Sequence, residues 1–112
     1  MSDSEKQPYT LIPDLRSLVA EATPDSIISR TFYKDDLMRT ILFRFDAGQE
    51  LSEHTSAHTA VLHILSGDAR VAVGEDTHEL SEGAWLHMQP RLKHSVYAKT
   101  PVVMLLMMVD TP

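Results

Sequence analysis

The six histidines among this chain's 112 residues, which include no cysteine, are the first candidates for metal or acid–base chemistry. Without thiolates, an ion would be held by imidazole, carboxylate, hydroxyl or water. Imidazole suits zinc, nickel, iron or copper and disfavours calcium and magnesium. Three histidines, His54, His58 and His63, fall between Gly48 and Gly67, in a segment that runs from a turn glycine through polar residues into the apolar Val61, Leu62, Ile64 and Leu65. His87 and His94 fall in a second segment of similar layout, Gly83 to Ala98. Two such segments predict one site assembled from non-adjacent strands.

The spacing limits which histidines can meet. In an extended chain His54, Ser56, His58 and Ala60 share a face, yet His54 and His58 then stand roughly 13 Å apart at about 3.3 Å per residue. Metal–nitrogen bonds are only about 2.1 Å long, so the two rings converge only if Thr55 to Ala57 bends, as strands beside functional sites often do. His63 is out of phase with Ala60 and should face away from a cavity, across a strand pair or at an interface. His87 shares a face with Trp85 and Gln89, and His78 lies in a polar hairpin where water explains it.

The elements that must position these rings are short strands. Met1 to Gln7 is polar and expected to fray. Leu11 to Ala22 carries Leu11, Leu15, Leu18 and Val19 near helical spacing between Pro13 and Pro24, which predicts a short helical turn or an extended arm packed on the core. Strands are expected over 26–32, 38–46, 60–65, 69–73, 77–80, 85–88, 94–98 and 102–109, separated by turn residues. In the second of these Ile41, Phe43 and Phe45 point one way and Thr40, Arg44 and Asp46 the other. The last, VVMLLMMV, is too uniformly apolar for a one-sided strand; it should be covered by the core on one face and by a partner or the N-terminal arm on the other. Its methionines, Met104, Met107 and Met108, read as adaptable packing rather than ligands. The result is an all-β domain over 25–112 behind an arm over 1–24, of jelly-roll type, with a homodimer expected through the apolar terminal strand.

Composition removes several function classes. A formal charge of −6 and a pI near 5.4 lack the basic footprint of a nucleic-acid binder. The opening MSDSEKQPYT has neither a basic n-region nor an apolar h-region, and the longest apolar run, 102–109, is far too short for a bilayer. A cytoplasmic soluble protein without membrane contact is the expectation. No phosphate-binding glycine loop, nucleophile elbow or Ser–His–Asp order is visible, which disfavours phosphoryl transfer and acyl-enzyme chemistry.

The two glycine-bounded segments resemble the paired motifs of the cupin superfamily, small RmlC-like β-barrels of the double-stranded β-helix type. In the first motif Gly48, His54 and Gly67 match, while the second-histidine slot holds Ser56 and the glutamate slot holds Ala60. In the second, Gly83 and His94 match, while Gln89, Arg91 and Ala98 occupy the proline, glycine and asparagine slots. The resemblance covers roughly Met38 to Val109. It implies that metal-binding relatives hold their ion through these slots, of which only His54 and His94 survive as imidazoles here. His58 is the nearby candidate for a third ligand.

Two readings of function stand open. In one, His54, His58 and His94 hold a divalent transition metal (Zn, Ni, Fe or Cu) at the barrel mouth, and a small organic molecule is polarised or oxidised there, in an oxygenase-like or isomerase-like reaction. Ser56 or His87 would orient water or substrate. In the other, the barrel is a metal-free binding or sensory module whose small-molecule ligand meets Leu62, Ile64, Trp85, Leu86 and Met88, with Ser56 and His87 in the same pocket.

Overall fold

The computed structural model describes residues 8–21 and 23–110; the expectation that Met1 to Gln7 frays lies outside them. Nine strands follow in chain order: β1 (Ile27–Lys34), β2 (Met38–Phe45), β3 (Glu50–His54), β4 (Thr59–Ser66), β5 (Ala69–Val73), β6 (Asp76–Leu80), β7 (Trp85–Met88), β8 (His94–Ala98) and β9 (Val102–Val109). They form two antiparallel sheets, of order β1-β2-β9-β4-β7 and β3-β8-β5-β6. Consecutive strands β3 and β4 therefore lie in opposite sheets, as do β7 and β8, so both histidine-bearing segments cross from one sheet to the other.

Strand periodicity builds the interior. Ala60, Leu62 and Ile64 of β4 are buried while Val61, His63 and Leu65 are only partly so. The same alternation brings Phe43, Phe45, Met104, Val71 and Val96 into one core between the sheets. The outer face of β2 is buried as well, since Leu42 is fully enclosed. Its cover is the arm: a 3-10 turn over Leu15–Val19 sets Leu15, Leu18 and Val19 against Leu42, Val103, Ile28, Phe32, Leu65 and Leu105. The Asp14 side chain caps this turn by accepting from the Arg16 amide, and the Arg44 guanidinium holds its far end by donating to the carbonyls of Val19 and Ala20 at 2.9 and 3.0 Å. The apolar strand β9 is thus covered on both faces in its first half, by the core and by the arm.

Sequence pattern did not announce β3, whose residues Glu50, Leu51, Ser52, Glu53 and His54 are mostly polar. It is held by pairing with β8, in register Glu50 with Tyr97, Leu51 with Val96 and His54 with His94. Among the described residues, no helix is long and apolar enough to cross a membrane.

Candidate functional site

Among the described residues, the register of β3 against β8 brings two histidine rings, His54 and His94, together. Val96 and His94 are two residues apart and share the inner face of β8, whereas their partners Leu51 and His54 are three apart. The extra residue on β3 is a bulge, and without it His54 would point to the opposite face from Leu51. The chain also bends at Ala57 and His58, where it crosses to the other sheet. The bulge brings the His54 and His94 rings to a centroid separation of 4.2 Å at an interplanar angle of 60°.

Both rings are anchored the same way. His54 Nδ1 lies 2.7 Å from the Ser52 carbonyl oxygen and His94 Nδ1 lies 2.9 Å from that of Leu92. A carbonyl can only accept, so each Nδ1 carries a hydrogen and Nε2 is the ring nitrogen left to meet a ligand. His94 is 6% exposed, and burial pushes its imidazole below the usual range, with neighbouring His54 adding to the effect and the Leu92 hydrogen bond opposing it. The buried ring is therefore neutral, in the protonation state that a ligand or a hydrogen-bond acceptor requires.

The loops that carry the pair are clipped together. The Arg91 amide donates to the Ser56 carbonyl at 2.7 Å, joining the β7–β8 and β3–β4 connections. Arg91 holds a left-handed φ of 68°. This is the slot where the resembling motif has glycine, and the backbone shows why glycine fits there.

The remaining candidates go elsewhere. His58 does not join the pair: its Nδ1 contacts the Asp110 carboxylate, and its amide donates to Ser56 Oγ at 3.1 Å. Among the described residues no three His, Asp or Glu side chains come together as an ion would require. The Ser56 hydroxyl is directed at Met108 Sδ, 3.9 Å away, and Ala60 is buried between its strand partners Met88 and Met108. The expected pocket set of Ser56, Leu62, Trp85 and His87 is divided by strand parity. Leu62 is in the core, whereas Trp85 pairs with His63 and His87 with Val61 on the outer face of the same sheet. Trp85 is 63% exposed and stacks on His87 at 6.5 Å. His63 faces away from the core, as its phase predicts, and His78 is exposed.

Sequence reading missed Asp110 as the partner of His58. The two are 52 positions apart and only the pairing of Thr59 with Val109 brings them together, so no local signal could have found it. The cavities of about 490 and 370 Å³ lie along the arm, one beside Arg44 and Val103 and the other beside Tyr9 and Phe32. A third, of about 260 Å³, lies beside His58.

Two antiparallel sheets between which the chain crosses repeatedly, with a ring pair on the inner face of the β3-β8-β5-β6 sheet, define a double-stranded β-helix. The chain belongs to the cupin domain family, whose sequence pattern matches residues 41–109. Among solved structures it is similar to a conserved protein of unknown function from Streptococcus pyogenes, with 31% identity and a TM-score of 0.74 over 80% of this chain and 79% of that one. It is also similar to a cupin superfamily protein from Desulfitobacterium hafniense, with a TM-score of 0.83, 23% identity and coverage of 93% and 94%. An RmlC-like cupin from Shewanella frigidimarina superimposes with a TM-score of 0.73 over 81% and 82% of the two chains at 18% identity. The last two likenesses speak for the fold alone. No curated protein matches the sequence.

Proposed function

We propose that this cupin binds a small organic molecule with the help of a divalent transition metal (Zn, Ni, Fe or Cu) held by His54 and His94. The observation that carries this reading is the matched anchoring of the two rings. Each donates Nδ1–H to a backbone carbonyl, the outer support that metal-ligating imidazoles characteristically have, and each leaves Nε2 free. The donor set is two imidazoles, fewer than the three protein ligands of a typical catalytic zinc site, so water and ligand would fill the remaining positions. Bound there, an ion would supply Lewis-acid polarisation of an oxygen on the small molecule. The chain's own contribution is to fix the two rings, keep His94 neutral by burial and tie the neighbouring β3–β4 and β7–β8 connections together through the Arg91–Ser56 hydrogen bond. His58, engaged with Asp110, stands outside this donor set.

One observation favours a second reading, in which the pair orients a ligand by hydrogen bonds without metal: Ala60 offers no donor and Ser56 faces Met108. The two readings separate in a single experiment. Thermal unfolding is followed with added zinc, nickel, copper or iron in the parent, His54→Ala and His94→Ala proteins. A metal at about a hundredfold over its Kd adds about 2.7 kcal/mol by mass action, and the first reading expects that gain in the parent and its loss in both variants. A parent that takes up none of the four metals leaves the metal-free reading.

We also propose that the homodimer expected through β9 uses the outer face where Met107 lies beside Val61, with the neighbouring Trp85, His87 and His63 at its side. Sedimentation of the parent and of Trp85→Glu tests it, the variant being expected as monomer.

A further inference from the structure

The geometry points to a second ligand site, separate from the histidine pair: the cavity beside the His58–Asp110 dyad binds a small carboxylate-bearing anion through Arg39 and Lys34. This inference does not rest on the function proposed above, since neither His54 nor His94 lines the cavity.

The cavity of about 260 Å³ is bounded by the ends of β1 and β2 (Lys34, Asp35, Met38, Arg39), the approach to β4 (His58) and the end of β9 (Met108, Asp110). Pockets for drug-sized ligands start at about 300 Å³, so this one suits a molecule of a few heavy atoms. Its acceptors are already used. The Asp35 carboxylate receives the Tyr33 hydroxyl at 2.6 Å and the amides of Leu37 and Met38 at 2.8 and 2.9 Å, and those bonds lower its pKa from the usual carboxylate value. The Asp110 carboxylate is taken by His58.

Its cationic donors, by contrast, are not used. Lys34 and Arg39 are direct cross-strand partners, and neither has an ion-pair partner among the described residues. Like charges set opposite each other in a sheet repel, and an anion between them relieves that repulsion. Arg39 offers a planar fork matched to a carboxylate.

The charge balance selects among anions. The two cations Lys34 and Arg39 are offset by the two carboxylates Asp35 and Asp110, which tolerates a monoanion and disfavours a phosphate dianion. His58 refines the choice. Its Nδ1 contacts Asp110, which leaves Nε2 as the ring nitrogen that a hydroxyl on the ligand can meet. A hydroxy acid therefore satisfies both halves of the site, the carboxylate on Arg39 and Lys34 and the hydroxyl on His58.

The test is a titration of the full chain with glycolate, acetate and inorganic phosphate, followed by proton–nitrogen NMR of backbone and side chains. Glycolate should give saturable shifts at Arg39, His58 and Met108, and should bind more tightly than acetate. Arg39→Gln should weaken glycolate by about tenfold or more, the worth of a charge-assisted bond, and Lys34→Gln by a smaller factor. His58→Ala should erase the preference of glycolate over acetate while acetate binding persists. Both cations are exposed, so the folded spectrum should be retained; should Arg39→Gln unfold, Lys34→Gln decides. Absence of saturable shifts with either carboxylate, unchanged affinity in the cation variants, or tighter binding of phosphate overturns the inference.

Discussion

Gly48 and Gly67 bound the same histidine-bearing segment and look equivalent in the sequence, yet replacing each by alanine should have very different consequences. Both have left-handed backbones, with φ of 85° and 89°. An alanine in that region costs roughly 1–2 kcal/mol from the clash of its Cβ with its own backbone. At Gly48 nothing else lies within 4 Å of the added carbon, so that strain is the whole effect. At Gly67 the carbon would enter the van der Waals shell of the Pro101 carbonyl oxygen and stand 3.0 Å from both Pro101 C and Val102 Cα.

These are backbone atoms at the entry to β9, and they are not free to retreat. The Asp68 amide donates to Thr100 Oγ1 at 2.9 Å, the Lys99 amide donates to the Asp68 carbonyl at 2.9 Å, and Val102 is buried in the core. Forcing the two turns apart adds roughly 1–3 kcal/mol, the usual cost of overpacking a fixed environment. Gly67→Ala should therefore lose about 2–5 kcal/mol against about 1–2 for Gly48→Ala. The assay is urea unfolding of the parent and both variants, with the slope checked for constancy so that midpoints report stability. Equal losses in the two variants would refute the close approach of the β4–β5 and β8–β9 turns.

Arg91→Gly should stabilise the protein by about 0.5–1 kcal/mol, because glycine adopts the left-handed φ without a Cβ clash and returns only part of the gain as chain entropy; a loss in urea midpoint would contradict it. Since His94 is held below the ordinary imidazole value, the unfolded chain takes up that proton first as pH falls through about 6.5. Stability should then decline with falling pH until the folded ring protonates too, and His94→Gln should flatten that part of the profile; an unflattened profile would assign the slope to other groups. Arg44→Ala removes the donor to Val19 and Ala20 and should cost about 1–3 kcal/mol. It should also expose the bond after Arg16 to trypsin, and a variant as resistant as the parent would show that the arm is held by its apolar contacts alone.

The metal-site slots of the family motifs show how far pattern reaches. His54 and His94 are legible as a pair from motif spacing, and the structure brings them together. His58 was legible only as an ambiguity: parity placed it with His54, and distance removed it unless the chain bent at Thr55 to Ala57. The chain does bend, at Ala57 and His58, but there it crosses to the other sheet and takes His58 to Asp110, while a separate bulge in β3 turns His54 inward. Trp85 and His87 could be assigned to one face by alternation, but which face was the cavity side depends on pairing with Val61 and His63, a fact about another strand.

Sequence alone determined the all-β class, eight of the nine strands, the turn glycines and the apolar character of the terminal strand, because each rests on local chemistry: alternation, β-branched content, backbone freedom. It also removed thiolate chemistry outright. Tertiary structure decided whatever depends on residues distant in the chain. β3 exists because β8 offers it a ladder, the His54–His94 contact follows from a one-residue bulge in that ladder, Gly67 is confined by Pro101, and His58 is claimed by Asp110. A polar strand, a register shift and a pairing across 52 positions leave no periodic trace, since each is fixed by which strand lies alongside.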